Sequence, residues 1–85
     1  MATNVIRRPA ITWQNWFPNG ESLFNVAFGI YRTSNSYIPS EGLTPSNKGV
    51  LIIAGNATYT FCLYIDTAGK ASVWSSDNTA WVALN

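Results

Sequence analysis

Hydrophobic and polar positions alternate most cleanly in the second half of this chain. Val50 to Ala54 is a short apolar run, Gly55-Asn56 is a hairpin signal, and Ala57 to Ile65 alternates with period two, the spacing at which strand side chains share a face. One face of that segment carries Tyr59, Phe61, Leu63 and Ile65, the other Thr58, Thr60, Cys62 and Tyr64. Hydropathy predicts the first set as the core face. Asp66-Thr67-Ala68-Gly69 suits a turn whose last residue needs positive φ. "KASVWS" then reads as a third strand, "SDN" as a turn and "TAWVAL" as a fourth strand, so this half predicts an antiparallel meander.

The first half is less regular. Phe24 to Arg32 has strand character, with Val26, Phe28 and Ile30 on one face, and a Pro18-Asn19-Gly20 turn follows a cluster of Trp13, Trp16 and Phe17. From Thr33 to Gly49 the chain is rich in Ser, Asn, Pro and Gly and has no periodicity. A connection this long is read either as a binding loop or as a surface loop with no role. No helix and no internal repeat is predicted.

Composition adds a constraint. An 85-residue chain forms a single domain that buries only about 60–65% of the surface its unfolded chain exposes, and such domains usually need a disulfide, a metal or a partner. One cysteine, Cys62, excludes an intrachain disulfide; no histidine and only four carboxylates leave a metal cage without ligands. Charged residues are 11% of the chain where about 25% is ordinary. Oligomerisation is the expected remedy, through apolar strand residues, with Leu51, Ile53, Tyr59, Phe61 and Leu63 as the expected interface.

Candidate chemistry narrows further. Without histidine, Ser-His-Asp and Cys-His arrangements cannot be built, and Cys62, in mid-strand, reads as a small buried hydrophobe. "YIDTAG" (Tyr64 to Gly69) resembles the active-site signature of aspartic proteases, whose small members pair two aspartates by homodimerising. Ala68 stands where that signature has glycine, and Asp-x-x-Gly is also an ordinary turn. Glu21, Glu41, Asp66 and Asp77 show no spacing that pairs them for glycoside hydrolysis. The expectation is a protein without enzymatic activity or cofactor. A net charge of +1 gives no general pull toward nucleic acid, and no run approaches the length of a membrane span, so neither partner is expected. "MATNVIRRPAITW" has no apolar stretch of signal-peptide length, which predicts synthesis in a cytoplasm and makes the Asn56-Ala57-Thr58 glycosylation pattern accidental.

Aromatic residues, 14% of the chain, are the positive signal. An indole can stack on a sugar ring while amide, hydroxyl and carboxylate groups take its hydroxyls. Trp74, beside the "SSDN" turn, is the first candidate for that ring and Trp16 the second, with Asn47, Asp77 and Asn78 as polar partners. Core or interface packing is the competing role for each tryptophan.

Gly49 to Leu84, "GVLIIAGNATYTFCLYIDTAGKASVWSSDNTAWVAL", resembles the knob module at the C-terminal ends of bacteriophage tail fibres, tailspikes and pyocin fibres. The shared features are a strand and loop (Phe24 to Tyr31), a glycine-led apolar strand (Gly49 to Ile53), an aromatic strand running into a D-x-x-G-K hairpin (Tyr59 to Lys70), and a Ser/Asn turn followed by Trp and Leu (Ser75 to Leu84). The family commonly has an arginine where this chain has Val73-Trp74-Ser75, and often a second tryptophan near Val82. The resemblance implies a division into a linker or packing segment, 1–24, and a β knob, 25–85. It also implies an all-β fold, a small antiparallel meander or sandwich closely packed or intertwined as a homotrimer. The implied place is the virion, on the rest of a phage fibre or spike, after synthesis in the bacterial cytoplasm. The implied role is binding bacterial cell-surface polysaccharide, trimerising the fibre, or both. The alternatives are a trimerisation domain without ligand and a free-standing small lectin.

Overall fold

A computed structural model describes residues 12–56 and 58–84. They form one six-stranded sheet in chain order: β1 (Thr12–Trp16), β2 (Gly29–Thr33), β3 (Gly49–Gly55), β4 (Thr60–Asp66), β5 (Ala71–Ser75) and β6 (Val82–Ala83). The chain is all-β, with no helix among the described residues. β2 to β6 pair antiparallel in sequence order, as the expected meander does, but β1 lies parallel to β2, so the sheet as a whole is mixed. Parallel neighbours cannot be joined by a tight turn. Residues 17–28 therefore cross one face of the sheet, and Phe17 and Leu23 drop fully buried into the core.

The turns have local causes. At β3–β4 the Asn56 side-chain oxygen accepts the amides of Thr58 and Tyr59, each at 2.8 Å, which makes the loop longer than the two-residue hairpin predicted. At β4–β5 the Gly69 amide donates to the Asp66 carbonyl at 3.0 Å, with Gly69 at φ +85°, where a Cβ would be strained. β2 starts at Gly29, later than the predicted Phe24, because residues 22–25 close a turn through Asn25 N–H to Ser22 C=O, 3.0 Å. The expected "TAWVAL" strand pairs only at Val82–Ala83.

The core face is the reverse of the one predicted. Cys62 and Tyr64 point inward with Leu51, Ile53, Tyr31 and Trp74, whereas Phe61 and Ile65 are exposed. Tyr64 is fully buried because its phenol has partners: it donates to the Ser46 carbonyl at 2.8 Å and accepts from the Thr33 hydroxyl at 3.4 Å. A buried hydroxyl so satisfied no longer carries its desolvation cost.

Loops make the second layer. The crossover and residues 34–48 cover the core face, adding Phe17, Leu23, Pro39 and Leu43. Phe17 and Leu23, from the segment 1–24 expected as a linker or packing element, belong to the same core as Leu51 and Ile53. Residues 1–11 of the expected linker lie outside the described residues.

Candidate functional site

The face of the sheet away from the loops has no covering layer among the described residues. Register aligns one residue from each strand into a row across it: Trp13, Ile30, Ile52, Leu63, Val73 and Val82. Every member is apolar. Beside it run Trp16, Arg32, Val50, Ile65 and Ala71 on one flank and Ala54, Phe61 and Ser75 on the other. Trp13 is 64% exposed and Phe61 49%. Apolar patches of more than a few hundred Å² on soluble proteins mark interaction surfaces.

Arg32 is the one charged residue in these rows, and its guanidinium is held by neutral partners. Its guanidinium lies 4.2 Å from the Trp16 ring centroid and donates to the Asn15 side-chain oxygen at 2.8 Å, a cation–π contact backed by a hydrogen bond. Tyr37 stacks on Trp16 with centroids 4.9 Å apart and 24° between planes. The three side chains form an aromatic ledge at the β1 edge. It borders an open cleft of about 570 Å³ whose lining includes Gln14, Asn15, Glu21, Asn25 and Tyr31.

The sequence-predicted ligand residues are dispersed. Trp74 is 2% exposed, its ring meeting Phe24 edge-on at 5.3 Å, so it is a core residue and not a stacking platform: its place on β5 opposite Cys62 turns it inward. Trp16 remains partly exposed. Asn47 donates to the Asn35 side-chain oxygen at 3.4 Å in the loop leading to β3. Asp77 and Asn78 are exposed in the β5–β6 turn, at the opposite edge of the sheet from Trp16. Trp74 and Asn78 line one groove near the β6 edge, but no single site gathers all five. Of the expected interface residues, Leu51 and Ile53 are fully buried in the chain's own core and cannot reach a partner, a consequence of the inverted faces. Phe61 and Leu63 lie on the uncovered face, and Tyr59 is exposed in the hairpin. Sequence reading missed Tyr37 and Arg32, which meet Trp16 only through the fold.

Asp66, the aspartate of the protease-like motif, is committed to its turn. One carboxylate oxygen accepts the amides of Ala68 and Lys70, both at 2.9 Å, and the other accepts the Ser46 hydroxyl at 3.2 Å. The side chain is 5% exposed, which leaves no room for a second carboxylate to share its proton. No group of three or more metal-ligating side chains occurs among the described residues.

Comparison with protein-family models, with curated proteins and with solved structures finds no match to this chain.

Proposed function

We propose that this chain is a non-enzymatic, trimerising tip domain of a bacteriophage tail fibre or tailspike. The observation that carries the reading is the uncovered apolar face. A sheet stabilises a domain by burying a face against a second layer, and among the described residues the loops supply that layer on one side only. A partner for the other side must itself be apolar and nearly uncharged. The same face on two further copies meets that description and is always present at equal concentration. The knob-like motifs from Gly49 to Leu84 give the assembly its context at the end of a fibre, made in the bacterial cytoplasm and carried on the virion.

Receptor binding belongs in this reading to the Trp16–Tyr37–Arg32 ledge and its polar cleft, where aromatic surface, amides and a carboxylate adjoin. The ligand class is a bacterial surface polysaccharide. The burial of Trp74 and the dispersal of Asn47, Asp77 and Asn78 favour a second reading, a trimerisation domain without ligand.

Light scattering separates these from a monomeric lectin: the expected mass is three times the 9.3 kDa of one chain, and a 9.3 kDa particle at about 100 µM would refute the assembly. Whole-cell and glycan-array binding, with Trp16→Ala and Tyr37→Ala as variants, then decides between receptor binding and a cap alone. Binding by the parent that both variants lose supports the ledge, and binding that survives both excludes it.

A further inference from the structure

Trp13 is the most exposed of the large apolar side chains among the described residues, at 64%. It stands on β1 at one end of the apolar row that crosses all six strands. At the other end lies a groove of about 370 Å³, lined on this face by Ile52, Phe61, Leu63, Val73, Ala80 and Val82. Knob and groove thus share one face and one row but sit at opposite edges of the sheet.

We propose that Trp13 of one copy fills this groove on the next, joining copies head to tail. The inference rests on the assembly reading above and specifies its contact. An indole cannot reach its own groove, because β1 and β5 are four strand spacings apart, roughly 19 Å at ~4.8 Å each. The groove carries no charged side chain, so it suits an apolar occupant. A buried tryptophan also needs an acceptor for its N–H, and the polar residues Ser75 and Asn78 line the same groove. Joined head to tail, each copy gives its knob to one neighbour and its groove to the other, which makes the contact heterologous, and heterologous contacts close into rings when the rotation permits. Trp13 so placed continues the neighbour's apolar row past Val82.

The test is light scattering and analytical sedimentation of the full chain as parent, Trp13→Ser, Val73→Arg and Phe24→Ser, each checked for its β circular dichroism. Phe24 is exposed and its ring meets the core residue Trp74, so it controls for loss of an exposed aromatic elsewhere. Loss of a central aromatic anchor weakens an interface about 30-fold or more. Trp13→Ser and Val73→Arg should each raise the dissociation constant by at least that factor, and Phe24→Ser should not. A parent assembly that Trp13→Ser leaves at full affinity would overturn the knob-in-groove contact while leaving the assembly reading intact. A monomeric parent would overturn both.

Discussion

The indole N–H of Trp81 donates to the backbone carbonyl of Gly42 at 2.8 Å, across 39 residues of sequence. It is one of three such clasps. The Ser72 hydroxyl donates to the Thr44 carbonyl at 2.9 Å and the Tyr64 phenol to the Ser46 carbonyl at 2.8 Å. Carbonyls of alternate residues in the long loop are therefore caught by side chains from the β6 edge, β5 and β4 in turn. A segment without periodicity is held in place because the sheet beneath it supplies donors for its carbonyls. The tryptophans near the end of the chain thus serve the core: Trp74 fills it and Trp81 fastens its lid.

Replacing Trp81 by phenylalanine keeps most of the apolar contact with Tyr64, whose ring lies 6.1 Å away, but leaves the Gly42 carbonyl without this donor. Losing one such bond costs about 1–2 kcal/mol. Urea titration should show that loss of stability, and amide exchange should quicken most between residues 42 and 48. Exchange unchanged in that segment would mean that the clasp does not hold the loop.

Asp66 organises the β4–β5 turn and ties it to Ser46. Alanine there strands two amides and a hydroxyl, and hydrogen bonds to a charged group contribute about 1.5–3 kcal/mol each. Asp66→Ala should lower stability by about 2–4 kcal/mol and Asp66→Asn, which keeps an oxygen for the two amides, by less. Equal thermal midpoints for Asp66→Ala and the parent would refute the structural role.

Strands β3 to β5 were legible because their alternation and the Asp66–Gly69 turn are local signals. The choice of core face was not. Both faces of β4 carry large apolar residues, and hydropathy favours Phe61, Leu63 and Ile65 over Cys62 and Tyr64. What reverses the choice is a partner for the Tyr64 phenol on a loop 18 residues away, which no local pattern contains. β1 was hidden for a similar reason: Thr12–Trp16 joins the sheet by parallel pairing across a crossover, and the Pro18-Asn19-Gly20 turn that follows it does not specify that pairing. Trp16 could be named as a ring near a polar turn, but Arg32 and Tyr37 reach it only through that pairing and the Ser34–Tyr37 bridge.

Cys62 should be inert in the folded protein. Burial, with a smaller contribution from the Glu41 charge, pushes its thiol up to about 12, and only the thiolate is nucleophilic. At pH 8 an aromatic disulfide reagent should label it only as fast as the chain opens, and at once in denaturant. Prompt stoichiometric labelling of the native protein would contradict its buried position.

Glu41 makes the fold sensitive to acid. Partial burial alone would raise its carboxyl, but the Ser22 hydroxyl at 2.6 Å and the Leu23 amide at 2.9 Å, helped by its own amide and the Ser40 hydroxyl at 3.3 Å, outweigh that and hold it below the ordinary 4.5. These bonds tie the crossover to the long loop, the two segments that roof the core. Because the carboxyl binds its proton more weakly in the folded chain than in the unfolded one, it stabilises the fold fully above pH 4.5. That contribution is lost as pH falls through the lowered folded value. Urea midpoints measured from pH 7 to pH 3 should fall across that window, and the fall should be shallower in Glu41→Gln, which cannot titrate and starts from lower stability at pH 7. A parent and a Glu41→Gln variant with parallel profiles would show that the tie between the two loops does not depend on the charge.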